Sequence, residues 1–96
     1  MSTNKQTRHI LTVKRTNKHI YCEIVDPKSG KIIDSASDLE MEKGSKMERS
    51  IFVGAKIAEI AKEHKIKTVV FNRNGYKYHG RVKKLAEEAR AKGMEF

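Results

Sequence analysis

Residues 73–81 read Arg-Asn-Gly-Tyr-Lys-Tyr-His-Gly-Arg, and no other stretch concentrates so much binding chemistry. Arg73 and Arg81 carry forked donors that match phosphate oxygens. Tyr76, Tyr78 and His79 carry rings that stack on unpaired bases or contact ribose, and Lys77 adds a point charge. Residues 15–21 repeat the composition, with Arg15 and Lys18 beside Asn17, His19 and Tyr21. The plainer reading is a charged hairpin in one place and, in the other, a turn whose aromatics cover the edge of a core. Either tyrosine alone fits that reading as well as it fits a ligand contact; the whole cluster favours a polyanion with exposed bases.

Other chemistries find less support. Gly75 and Gly80 form neither a GxGxxG pattern nor a GK[ST] ending, so a mononucleotide cradle is not indicated. His19, Cys22, His64 and His79 do not make a metal set, because positions 19 and 22 fall on opposite faces of a strand and there is no second cysteine. A thiol nucleophile at Cys22 is disfavoured, since an inward cysteine on a strand is usually inert packing. No metal, cofactor or small-molecule substrate is expected.

Six elements must position these residues. Residues 9–14 (HILTVK) and 20–25 (IYCEIV) are rich in β-branched side chains and predict two strands joined by a short polar hairpin. In the second, Ile20, Cys22 and Ile24 share one face and Tyr21, Glu23 and Val25 the other. The turn signal Asp26-Pro27-Lys28-Ser29-Gly30 leads into a third strand over 31–37, which completes an antiparallel meander. A helix is predicted over about 47–64. Ser45 and Glu48 are spaced as a capping box, and Met47, Ile51, Gly54, Ala55, Ala58 and Ala61 are read as its inward stripe, with Glu48, Arg49, Lys56, Glu59 and Glu63 opposite. Gly54 and the alanines imply a close approach to the sheet. Residues 68–72 (TVVFN) predict a short buried strand added in parallel, and Val82, Leu85, Ala86 and Ala89 mark a second helix that Gly93 ends, with 94–96 folding back. The expected fold class is α/β: a two-layer or three-layer mixed sheet of about four strands, a three-strand antiparallel meander plus one parallel strand, with two helices. Residues 1–8 read as a short flexible basic arm and 9–96 as a single domain.

The formal net charge is +9 and the pI about 9.8. The distribution says more than the total. No acid precedes Glu23, and none lies between Glu63 and Glu87. The two acid-free zones hold 12 of the 21 basic residues: Lys5, Arg8, Lys14, Arg15 and Lys18 in the first, and Lys65, Lys67, Arg73, Lys77, Arg81, Lys83 and Lys84 in the second. Zones brought together by folding would form a positive face for phosphates. The lone cysteine rules out an internal disulfide, and neither a membrane-length apolar run nor the apolar core of a signal peptide is present, so a cytoplasmic location is expected.

The segments NKHIY (17–21), SAS (35–37), VVFNRNGYKYHGRVKKLAEEAR (69–90) and GMEF (93–96) resemble the bacterial-type family of large-ribosomal-subunit protein eighteen. The resemblance covers nearly the whole chain, and its GYxYHGRV signature is specific. It implies a mixed-sheet fold related to the ribonuclease H motif, no enzymatic activity, and binding to 5S rRNA in the central protuberance, beside 23S rRNA and ribosomal protein five. RNA-facing positions carried over by the resemblance are Arg15, Asn17, Lys18, Tyr21, Arg73, Tyr76, Tyr78, His79 and Arg81, with Lys77 joining them from the cluster. There are three departures. Asn72-Arg73-Asn74-Gly75 stands where the family usually shows Asp-Arg-Gly-Gly, and Asn74 is expected to hold the positive φ that glycine would. MEKGSKMERSIFVG departs from the commoner sequence before the first helix, without a counterpart for 47–51. The basic arm is shorter than the family's.

Two rivals come from other classes. A ribonuclease H-like nuclease needs carboxylates converging on Mg²⁺, yet residues 9–14 carry no acid and residues 68–72 end in Asn72. A generic basic module that binds RNA or protein through charge alone would differ from base-reading RNA recognition in not needing Tyr76 and Tyr78.

Overall fold

The computed structural model describes residues 8–96. Most of the expected arm, 1–7 with Lys5, lies outside the described residues. The elements are β1 (His9–Arg15), β2 (Ile20–Val25), β3 (Ile32–Ser37), α1 (Lys46–Glu63), β4 (Val69–Asn72) and α2 (Gly80–Ala91). The sheet order is β3-β2-β1-β4. β1 to β3 are the antiparallel meander, and β4 joins β1 in parallel, with Leu11 opposite Phe71 and Thr12 opposite Asn72. A parallel pairing needs a long crossover, which α1 supplies.

Two-residue alternation decides the layering. Leu11, Val13, Ile20, Cys22, Ile24, Ala36 and Val69 are buried on one face, where Val53, Ile57, Ala58 and Ala61 of α1 and Val82, Leu85 and Ala89 of α2 complete a single core. Both helices therefore cover the same face, and the molecule has two layers. Among the described residues nothing covers the other face. That corrects the expectation of a strand buried on both sides at 68–72: Val69 is buried, but Val70 points to the uncovered face and is 38% exposed. The alternation in β2 is as expected. The end of the chain returns beside β4, where the Val69 amide donates to the Glu95 carbonyl at 2.9 Å and Phe96 stacks on Phe71 with centroids 5.2 Å apart.

α1 begins with the expected box: Ser45 Oγ accepts from the Glu48 amide at 3.1 Å and Glu48 Oε1 from the Ser45 amide at 2.7 Å. These two bonds hold the Glu48 carboxyl below its ordinary range. The inward face is rotated from the expected stripe. Ser50, Val53, Gly54, Ile57, Ala58 and Ala61 are buried, whereas Met47 is 45% exposed and Ile51 and Ala55 are half-buried. Arg49, expected in solvent, turns inward to Asp38. α2 causes the rotation, because α1 must serve a helix and a sheet together. Gly54 faces α2 rather than the sheet: a Cβ there would stand 2.5 Å from the Leu85 carbonyl oxygen and 3.0 Å from the Glu88 Cβ. The α2 stripe of Val82, Leu85, Ala86 and Ala89 is buried as expected.

Gly54→Ala fixes the sign of this contact. Helix propensity alone would stabilise the alanine form by about 1 kcal/mol. Overpacking against fixed backbone costs about 1–3 kcal/mol and should win, which a urea melt will read as a lower midpoint at unchanged slope.

Candidate nucleic-acid interface

Because β1 and β4 run in parallel, their carboxyl ends, Arg15 and Asn72, lie at one pole of the sheet. The turn 16–19 and the loop 73–79 emerge there, so folding brings parts of the two acid-free zones together. The turn is closed by the Thr16 amide donating to the His19 carbonyl (2.8 Å) and the His19 amide to the Thr16 hydroxyl (3.1 Å). In the loop, the Asn74 amide donates to Asn72 Oδ1 at 2.9 Å, and Asn74 (φ 56°) and Gly75 (φ 84°) both take the left-handed conformation.

Tyr76 ties the two segments. β4 is three residues shorter than β1 and stops opposite Thr12, leaving the β4-side edge of Arg15 without a strand partner. The Tyr76 hydroxyl takes that place, donating to the Arg15 carbonyl (3.1 Å) and accepting from the Arg15 amide (3.3 Å). The Arg15 guanidinium lies 5.0 Å from the centre of the same ring. From the start of α2, Arg81 Nη1 donates to the Thr16 carbonyl at 3.2 Å. Arg15, Thr16, Asn17, Tyr76 and Arg81 line a notch of about 210 Å³.

The notch is electrostatically unbalanced. Burial, and then the neighbouring Arg15 cation, pull the Arg81 guanidinium below its ordinary pKa, against the opposing pull of Asp38. Arg15 Nε is buried and has no hydrogen-bond partner among the described residues. An anion seated between the two guanidiniums would meet both deficits.

The remaining candidates divide. Asn17 and Lys18 are exposed on the turn, and Arg73 and Lys77 on the loop, all at this pole. His79 is exposed and caps α2 without a side-chain bond to its amides. Tyr78 turns away from the notch. Its hydroxyl accepts from Arg90 at 2.9 Å and its ring meets Phe71 edge-on at 6.2 Å. Tyr21 lies on the uncovered sheet face, in register with Lys14 and Ser37 and 6.4 Å from the His19 ring. The cluster that reads as one segment in sequence is thus split between the notch and the Phe71–Phe96 edge.

Asp38 was not among the expected residues. It directly follows β3, and its side chain is 1% exposed between His19 (3.0 Å to Nδ1) and Arg49 (3.3 Å to Nη1). Arg49 also donates to the Asp38 and Gly44 carbonyls. The carboxylate therefore joins the 16–19 turn to the first turn of α1. Register holds the one sequence signal for it: Ser37 opposite Tyr21 sets position 38 beside 19 and 20. Among the described residues no group of three or more histidine, cysteine, aspartate or glutamate side chains is placed to hold a metal ion. Burial pushes the Cys22 thiol far above its ordinary pKa.

Comparison with known proteins supplies a family. The whole chain, residues 1–96, matches the family model described as ribosomal L18 of archaea, bacteria, mitochondria and chloroplast. The chain belongs to the ribosomal L18 family. It is 51% identical over 90 residues to large ribosomal subunit protein uL18 of Staphylococcus saprophyticus, covering 90% of this chain and 75% of that one. Identity to the protein of the same name is 50% over 92 residues in Porphyromonas gingivalis, at 95% and 81% coverage. In Deinococcus radiodurans it is 45% over 86 residues, at 90% and 75% coverage. In this member of the L18 family, Asn74 stands where the resemblance puts glycine, and its φ of 56° preserves the left-handed position as expected.

Two outcomes follow for this L18 family member. Asp38→Ala removes the acceptor of His19 and the carboxylate that pairs with Arg49, and should cost about 2 kcal/mol in a thermal or urea melt. Cys22 should resist iodoacetamide in the native protein and react at the rate of unfolding, as mass spectrometry of quenched time points will show.

Proposed function

We propose that residues 9–96 act as a single RNA-binding domain that attaches 5S rRNA to the central protuberance of the large ribosomal subunit. As a bacterial-type member of its family, the protein is a constituent of the large ribosomal subunit in the cytoplasm, with a structural role. The finer reading rests on the pole where β1 and β4 end. There a notch with two under-neutralised guanidiniums, Arg15 and Arg81, is ringed by Asn17, Lys18, Arg73, Tyr76, Lys77 and His79. Phosphate contacts at the notch would position the RNA; the exposed polar groups and rings around it would supply the base and ribose contacts.

Tyr21 and Tyr78 have separate places in this reading. Tyr21 extends the RNA surface onto the uncovered sheet face, and the Tyr78 ring borders the loop from the other side. 23S rRNA and ribosomal protein five are the proposed neighbours. A nuclease reading draws no support from the strands, since neither β1 nor β4 contains a carboxylate.

A salt-dependent titration against 5S rRNA, with transfer RNA as competitor, tests the reading. A preference for 5S rRNA of at least roughly 100-fold, about 2.7 kcal/mol, is expected; equal weak binding of the two RNAs overturns it. Replacing Arg73 and Arg81 together by alanine should weaken binding by about 2 kcal/mol or more, and wild-type affinity in a folded double variant would remove both residues from the interface. Lys56→Ala is the control. This lysine is exposed on α1 and pairs with Glu40 at 3.4 Å, so its loss should change affinity by less than about 0.5 kcal/mol.

A further inference from the structure

The uncovered face of the sheet is organised in rows by strand register. Val25 stands opposite Ile32 and Ile10, and Ile10 opposite Val70, so Ile32, Val25, Ile10 and Val70 cross all four strands in one line. Cross-strand neighbours on one face touch, and three strand spacings make a ridge about 14 Å long. The next row, Ser35, Glu23, Thr12 and Asn72, is polar. Ile32 is 53% and Val70 38% exposed, while Ile10 and Val25 are half-buried. A single exposed aliphatic side chain needs no explanation, but an unbroken line across a whole sheet does.

The borders of the ridge are positive. Arg8 precedes β1, Lys28 and Lys31 lie between β2 and β3, and Lys67 precedes β4, all exposed at the end of the sheet where the ridge runs. Asp26 keeps its charge, held by the Ser29 hydroxyl (2.9 Å) and the Lys28 amide (3.2 Å), whereas Glu95 pairs with Lys67 at 3.3 Å and Glu23 with Lys14 at 3.4 Å, so cations outnumber carboxylates at this end. Among the described residues Arg8, Lys28 and Lys31 take part in no ion pair.

We propose that the row Ile32, Val25, Ile10 and Val70 is a docking ridge for a protein of the large subunit whose contact surface presents aliphatic side chains flanked by carboxylates. β-Branched side chains neither stack on bases nor bond to phosphate, so the ridge itself suits protein rather than RNA. It lies toward the pole opposite the notch, which leaves both partners room to bind together. Four side chains fill only part of the roughly 800 Å² per partner of a stand-alone complex. The contact therefore belongs to the assembled particle, and the proposal does not depend on the 5S rRNA reading.

The test uses the full chain in assembled large subunits. A benzophenone amino acid placed at Val70 or at Ile32 should crosslink to a protein, and the crosslinked peptide should contain aliphatic residues beside Asp or Glu. Crosslinks to RNA, to a basic peptide, or to nothing overturn the proposal. Ile32→Asp with Val70→Asp should keep the thermal midpoint and the 5S rRNA affinity, yet lose at least tenfold to the wild-type chain when both compete for incorporation. Equal incorporation of the folded variant overturns the proposal equally. Failure of the 5S rRNA reading would appear separately, as absent 5S preference in the wild-type titration.

Discussion

The parallel pairing of β1 with β4 is the constraint on which the rest of the structure depends. An antiparallel fourth strand would carry its following loop to the far pole and separate the two basic segments by the length of the sheet. Parallel pairing demands a crossover, and α1 provides it across the covered face. Once both strands end at one pole, like charges are forced together there. The fold manages this locally: the Tyr76 hydroxyl holds the Arg15 backbone, its ring faces the Arg15 guanidinium, and the Thr16 carbonyl holds Arg81. It leaves the remaining positive charge for a ligand to meet.

A second consequence is the asymmetry of the sheet. Packing both helices on one side produces a single core and leaves the opposite face to be judged by its side chains alone. Those side chains change along the strands, from an aliphatic row through a polar one to Lys14, Tyr21 and Ser37 near the basic pole. The sheet thus offers chemically distinct surfaces at its two ends.

Much of this was legible in the sequence, for identifiable reasons. The β2 alternation and the α2 stripe follow from periodicity, because each element packs in essentially one direction. The α1 stripe was misread because alanines carry little signal and the helix answers to two neighbours. That is why Val53 and Ile57 face inward while Met47 does not, and why Gly54 meets α2. Val70 was misread because a continuous apolar run does not say whether both faces of a sheet are covered. Asp38 was invisible for a different reason. A polar residue after a strand looks like loop, and only the β2–β3 register puts it beside His19 and under Arg49. For the binding cluster, composition located the segment and folding divided it: Tyr76 serves the notch, and Tyr78 the aromatic edge.

In the proposed function, two segments about sixty residues apart form one RNA surface. Amide chemical shifts of the labelled protein, followed while 5S rRNA is added, test it most directly. Amides of 15–19 and of 73–81 should respond together with one shared midpoint, while those of 26–31 and 63–67 at the other pole stay in place. Response of only one segment, two unrelated midpoints, or shifts centred on the opposite pole would contradict it.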